Sequence, residues 1–344
     1  MDKSKKNKPV VGITLGDING IGPEVIIKAL EDSRILKFMT PVIYGSSKVV
    51  SYYRKALDLS DFNYHQIKDL GQLFHRKVNV YNLWEETVEI KMGEENETGG
   101  KYAFLSLKAA VADLKDGKID AVVTAPISKN NIQSEEFKFP GHTEYLAETF
   151  GVKDHLMLMA GDKMKIGLVT GHIPLKAVVS ALGKELILKK LSVLDSTLKK
   201  DFGIKKPRIA VLGLNPHAGE NGLLGNEERD VISPVLKEWK EKGNLVFGPF
   251  PSDGFFGTLM HAKYDGVLAM YHDQALIPFK TLCFETGVNY TAGLPAVRTS
   301  PDHGTAYSLV GKNEASESSM REAIFMAADI VKQRRVNDGE ETED

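Results

Sequence analysis

Short β-branched runs alternate with helical patterns almost from one end of this chain to the other, and that alternation constrains the fold more than any other feature. It is the signature of an α/β protein built on mainly parallel sheet. Nine candidate strands stand out: PVVGIT from Pro9, PVIYG from Pro41, KVNVYNL from Lys77, IDAVVTA from Ile119, HLMLMAG from His155, KIGLVT from Lys165, RIAVLGL from Arg208, LVFGPF from Leu245 and DGVLAMY from Asp265. The better helices cover Pro23–Leu30, Phe104–Lys115, Lys184–Lys200, Glu228–Lys242 and Ser316–Gln333. Pro23 sits where a proline suits a first helical turn. The polar stretch KMGEENETGGK, from Lys91, reads as a surface loop or a domain seam. With no fixed-period repeat, solenoids and propellers are set aside.

At 344 residues the chain suits two domains or one large α/β unit with a sizeable core. A 42% hydrophobic, 26% charged composition excludes a disordered or collagenous chain. Lys+Arg 44 against Asp+Glu 46 leaves a net charge of −2, which lacks the footprint of a dedicated nucleic-acid binder. Cys283 is the single cysteine, so an intramolecular disulfide and a cysteine zinc knuckle are excluded and a reducing compartment is expected. The first apolar run, VVGITLG, breaks at Asp17, too short for a signal core or a membrane span, so a soluble cytoplasmic protein is expected. The lysine-rich head and the acidic tail NDGEETED read as solvated ends.

In open α/β sheets ligands bind beyond the carboxyl ends of strands, so the residues just past each strand are informative. Three of the nine histidines fall there: His172 after KIGLVT, His217 after RIAVLGL and His272 after DGVLAMY. Each alone also reads as a strand-end imidazole bonded to a nearby carbonyl. Three on one sheet edge point instead to a divalent-metal site, with rigidly held nitrogen ligands and a position open to substrate. Asp253 and Asp273 are candidates to orient those rings, and read equally as helix N-caps. GDINGIGPE, around Asp17, could offer backbone amides to an anion or could simply serve a tight turn and close packing. It is not GxGxxG, and neither that spacing nor a Walker loop occurs in the chain. Lys280, Asn289, Arg298, Asp302 and His303 concentrate polar groups between Phe279 and Tyr307, where Lys280 and Arg298 could hold a phosphate or carboxylate. His142 and Thr143 sit at an expected helix start, a second place for an anion.

In order, GDINGIGPE, VVTAPISK, GHTEYLA, TGHIPL, GLNPHAGE, GPFPSD, YHDQALIPFK and GVNYTAGLPAVRTSPDHGTA resemble the 4-hydroxythreonine-4-phosphate dehydrogenase family of vitamin B6 biosynthesis, over nearly the whole chain. The resemblance implies two α/β/α domains around a cleft, like isocitrate and isopropylmalate dehydrogenases. One domain would take residues 1–126 and 301–344, and the other 127–300 with most of the metal and substrate site. It implies a homodimer with the metal site at the subunit interface, and NAD or NADP bound without a Rossmann fingerprint. His172, His217 and His272 would ligate one divalent metal (zinc, cobalt, manganese or magnesium), and His142, Thr143, Lys280, Asn289 and Arg298 would bind a small phosphorylated substrate. The implied reaction is oxidation of 4-phosphooxy-L-threonine and decarboxylation to 3-amino-2-oxopropyl phosphate, with Lys280 moving a proton or stabilising an alkoxide.

Members of that family usually read GDPAGIGPE where this chain has Ile18 and Asn19, a threonine where Gly171 stands, and GGH where Asn221–Gly222–Leu223 follows NPHAGE. These departures leave the metal positions intact and bear on substrate identity. A related branch, which also resembles this chain, oxidises phosphorylated sugar acids such as 4-phospho-D-erythronate or 4-phosphothreonate. Outside dehydrogenases, the alternatives are a non-catalytic metabolite-binding protein and a phosphate acyltransferase of related fold.

Overall fold

The computed structural model describes residues 8–339, so the lysine-rich head and the end of the acidic tail lie outside the described residues. Two compact units divide the chain: residues 1–151 with 295–344, and residues 152–294.

The first unit holds a six-stranded, all-parallel sheet. Its strands are β1 (Val10–Thr14), β2 (Thr40–Gly45), β3 (Tyr64–Ile67), β4 (Val78–Asn82), β5 (Ala121–Thr124) and β12 (Val297–Pro301), in the order β3-β4-β2-β1-β5-β12. β2, β5 and β12 are buried at every residue, as parallel strands covered on both faces must be. The helices are α1 (Gly22–Leu30), α2 (Ser47–Ala56), α3 (Glu97–Lys115), α4 (His142–Thr149) and α10 (Ser318–Asn337). Arg335 of α10 pairs with Asp120 at 2.6 Å, and the second oxygen of Asp120 accepts the Val10 amide at 2.7 Å, pinning the last helix to the entry of β1.

The second unit holds β6 (Leu156–Ala160), β7 (Lys165–Leu168), β8 (Arg208–Leu212), β9 (Leu245–Phe250), β10 (Gly266–Ala269) and β11 (Val288–Ala292), ordered β11-β6-β7-β10-β8-β9. β6 is antiparallel to both its neighbours, and β7, β10, β8 and β9 run parallel. Its helices are α5 (Leu175–Ala181), α6 (Lys184–Lys200), α7 (Ser233–Glu241), α8 (Ser252–Gly257) and α9 (His272–Cys283). Ile166, Leu168, Ala210, Leu212, Val267, Ala269 and Phe279 join strands and α9 in one core.

All nine expected strands form. The three that went unread, β3, β11 and β12, are short or carry polar residues. The structure divides at 151/152 and 294/295, whereas the sequence reading places the seams near Pro126 and Pro301. Residues 127–151 stay with the first unit because Phe137 and Tyr145 pack on Phe104 of α3, and the Asn131 amide donates to Asp17 at 2.6 Å and to the Asn96 carbonyl at 2.9 Å. Residues 297–299 stay there because β12 pairs with β5.

The stretch from Lys91 is only partly a loop, because α3 begins at Glu97, capped by the Asn96 side chain on the Gly99 amide at 2.9 Å. Its glycines allow close approach: a Cβ at Gly99 would collide with the Asp17 carboxylate, and one at Gly100 with the Asn131 carbonyl. Gly100→Ala is therefore expected to destabilise by about 1–3 kcal/mol through overpacking against fixed backbone. Gly254→Ala, with open space around its new Cβ, is expected to stay within about 0.5 kcal/mol. Thermal melts of both variants beside the parent check this.

Candidate active site

Parallel pairing in the second unit decides where its histidines go. Because β7, β10, β8 and β9 are neighbours running the same way, their carboxyl ends open on one edge, and the segments leaving them carry His172, His272, His217 and Asp253 in that order. The His172 and His272 rings stand 5.3 Å apart, tilted by 49°. Two imidazoles bound tetrahedrally to one cation at about 2.0–2.1 Å would have ring centres about 5 Å apart. The pair therefore has the spacing and the donor chemistry for a divalent metal. His272 places Nδ1 2.7 Å from Asp273, which leaves Nε2 as the nitrogen suited to a ligand role.

His217 is exposed on the next strand exit, in a run of five residues, His217 to Asn221, with left-handed backbone (φ 52°, 50°, 81°, 44° and 56°). Four of them are not glycine, and each such residue costs about 1–2 kcal/mol of strain. Among the described residues no group of three or more His, Cys, Asp or Glu gathers at one point, so the structure brings His172 and His272 together and does not bring His217 into the same group. Asp253 is exposed in the first turn of α8, and Asp273 lies in the first turn of α9. Neither is the N-cap that the alternative reading expects, since Pro251 and Tyr271 occupy those positions. Lys280 lies half-buried on α9, and Asn289 half-buried on β11.

In the first unit Arg298 of β12 is buried, and its Nε and Nη2 donate to the Thr124 hydroxyl at 3.0 and 2.6 Å. Burial lowers its pKa to about 10, with Glu144 opposing, so it stays cationic at neutral pH. His142 Nδ1 lies 3.4 Å from Arg298 Nη2. Burial first, then the charges of Arg298 and Lys129, push the His142 pKa well below the ordinary imidazole range. The ring is therefore neutral at pH 7, and with Nδ1 facing the guanidinium its proton belongs on Nε2. That Nε2 is covered from solvent and has no hydrogen-bond partner. A cation beside an orphaned buried donor, with half-buried Thr143 next in the chain, suits an anionic group.

The glycine-rich loop takes the packing alternative. The amides of Asp17, Asn19, Gly20 and Ile21 all donate within the chain, to Pro126, Asp17 (twice) and Thr305. Asp17 is wholly buried and also accepts from Asn131 and, at 2.7 Å, from the Tyr307 hydroxyl. Asn19, one of the departures from the family pattern, stitches down the following loop by accepting the Lys91 amide at 2.8 Å and donating to Asn96 at 2.9 Å. Thr124, Thr170, Glu228 and Gln274 also bear on the site, and the sequence reading gave none of them a role. Thr124, Thr170 and Gln274 did stand inside motifs, VVTAPISK, TGHIPL and YHDQ, whereas Glu228 carried no signal.

A family model, pyridoxal phosphate biosynthetic protein PdxA, matches residues 37–327. The chain belongs to this family. Among PdxA relatives, a 4-hydroxythreonine-4-phosphate dehydrogenase from Bacteroides thetaiotaomicron is 48% identical over 332 residues, covering 96% of this chain and 91% of its own. A protein from Oceanobacillus iheyensis, provisionally named a D-threonate 4-phosphate dehydrogenase, is 38% identical and covers 94% and 98%. Among solved structures, the 4-hydroxythreonine-4-phosphate dehydrogenase of Klebsiella pneumoniae superposes with a TM-score of 0.81 at 35% identity, over 95% of this chain and 98% of that one. Among the described residues no helix is long and apolar enough to cross a membrane.

For this PdxA-family chain the depressed His142 pKa gives a signed expectation. The unfolded chain takes up a proton near pH 6.5 that the folded chain refuses, so His142 destabilises the fold progressively as pH falls through 6.5. His142→Gln is expected to lose less melting temperature than the parent between pH 7.5 and 5.5, as differential scanning fluorimetry at both pH values would show.

Proposed function

We propose that this chain oxidises 4-phosphooxy-L-threonine (4-hydroxythreonine 4-phosphate) with NAD or NADP at a divalent-metal site, in pyridoxal 5'-phosphate biosynthesis. The β-keto acid formed then loses CO2 to give 3-amino-2-oxopropyl phosphate. The observation that carries this reading is the 48% identity, over 96% of the chain, to a relative of that name. The 5.3 Å pair of imidazoles supports it.

In this reading His172, His217 and His272 hold one divalent cation, zinc, cobalt, manganese or magnesium, which supplies Lewis-acid polarisation at the reacting oxygen in both steps. Asp273 orients His272 through Nδ1. Arg298 and the Nε2–H of His142, with Thr143, hold an anionic group of the substrate, and the Asn289 amide holds a polar end. Lys280 takes the hydroxyl proton as the hydride leaves for the nicotinamide, and returns a proton to the carbon that loses CO2.

The chain acts as a cytoplasmic homodimer with its metal site at the subunit interface. Ile173, Leu175 and Val179, directly after His172, and Ile277 and Phe284, on α9 and just beyond it, are large apolar side chains with 39–71% exposure. Such side chains beside two of the ligands suit burial against a second copy.

A second reading, oxidation of a phosphorylated sugar acid such as 4-phospho-D-erythronate or D-threonate 4-phosphate, is favoured by the Oceanobacillus relative. NAD(P)H appearance with both substrate types side by side, with EDTA and with added metal, separates the two. Metal-dependent turnover of the threonine phosphate is the expected result, and turnover of the sugar acid alone would move the chain to the second reading. His217→Ala is expected to lower metal-dependent turnover by more than about 100-fold with unchanged circular dichroism.

A further inference from the structure

One buried side chain, the amide of Gln274, ties the segment carrying His272 to the one leading to His217, and the Met270 carbonyl ties in the segment leading to His172. Gln274 is 8% exposed and sits in the first turn of α9, two residues after His272. Its oxygen accepts the Met270 amide at 2.7 Å. Its nitrogen donates to the Gly213 carbonyl at 2.6 Å, where the chain leaves β8 toward His217, and to the Ser252 hydroxyl at 2.7 Å, beside Asp253. The carbonyl of the same Met270 receives both the Thr170 amide at 3.1 Å and the Thr170 hydroxyl at 2.7 Å, two residues before His172. From the other side Glu228, 4% exposed, accepts the Leu214 and Asn215 amides, each at 2.7 Å, and the Asn215 side chain at 2.9 Å. Gly219 makes room for this carboxylate, since a Cβ there would stand 2.6 Å from its Oε2.

We infer that Gln274 is a positioning residue for the metal ligands: with Glu228 gripping residues 214 and 215, its amide ties the exit of β8, which leads into the strained turn carrying His217, to the exit of β10, which leads to His272. The inference rests on the proposed metal site. Two physical points support it. A left-handed run of non-glycine residues persists only where its surroundings over-determine it, and the Gln274 and Glu228 bonds grip three consecutive residues at its root. An amide is also the one group of this shape that can donate to a carbonyl and a hydroxyl while accepting a backbone N–H. Isosteric methionine would keep the volume and lose every bond, and glutamate would set a carboxylate against the Gly213 carbonyl.

The test uses full-length, metal-stripped protein titrated with Zn2+ against a chromophoric chelator, with amide hydrogen exchange over residues 213–222 and thermal melts alongside. Wild type is expected to bind Zn2+ and His217→Ala to lose it. Gln274→Met is expected to bind about 10–100-fold more weakly, to exchange faster at 213–222, and to lose kcat more than KM. Wild-type Zn2+ affinity in folded Gln274→Met and Gln274→Glu would overturn the inference while leaving the metal site standing. A wild type that binds Zn2+ no better than His217→Ala would overturn both. If neither Gln274 variant folds, Glu228→Gln, which keeps shape and removes charge at the other grip, decides by the same titration. Weakened Zn2+ binding there supports the inference and unchanged binding rejects it.

Discussion

Parallel pairing of β7, β10, β8 and β9 is the constraint on which the candidate site depends. A parallel strand must leave the sheet at the same edge as its neighbour, so the residues that follow these four strands share one edge whatever lies between them in sequence. Residues 172, 217, 253 and 272 are far apart along the chain and adjacent only because of this. The β10–β7 register, Val267 opposite Ile166, sets His172 and His272 at the same height. The buried bonds of Thr170 and Gln274 to Met270 then hold the two exits together.

The first unit solves a different problem, the burial of charge. Arg298 is placed inside the sheet by β12, where its guanidinium donates to the Thr124 hydroxyl and faces the His142 imidazole, and burial pulls its pKa down while the charge of Glu144 opposes the shift. Taking a cation out of water costs several kcal/mol unless an anion repays it, and the neutral His142 beside it adds a donor rather than a counter-charge. The arrangement suits the anionic substrate group proposed above. Asp17 shows the opposite case, a buried carboxylate whose oxygens are met by an amide N–H, a carboxamide and a phenol, all from the chain itself.

Much of this was legible beforehand. The nine apolar runs and the three strand-end histidines follow from local pattern alone, because continuous apolar runs have few other fates in a chain of this composition. β11 and β12 were hidden by Asn289 and Arg298, polar residues that read as candidate site residues rather than as strands and that the structure places on strands. The helix start at Glu97 was hidden by Gly99 and Gly100, which read as loop residues and serve close packing against Asp17 and Asn131. Asp253 and Asp273 read equally as carboxylates that orient the histidine rings and as caps, yet the cap positions are held by Pro251 and Tyr271, before the first turn.

By itself the sequence determined the α/β class, nine of the twelve described strands and the residue types at their ends, since these depend on neighbours within a few positions. Tertiary structure alone decided that His172 and His272 meet while His217 stands apart on a left-handed turn, that the unit boundary falls after residue 151, and that Gln274 and Glu228 hold the histidine segments. Each of those outcomes depends on bonds between residues tens of positions apart. Their geometry is set by strand pairing and burial, which local pattern does not encode.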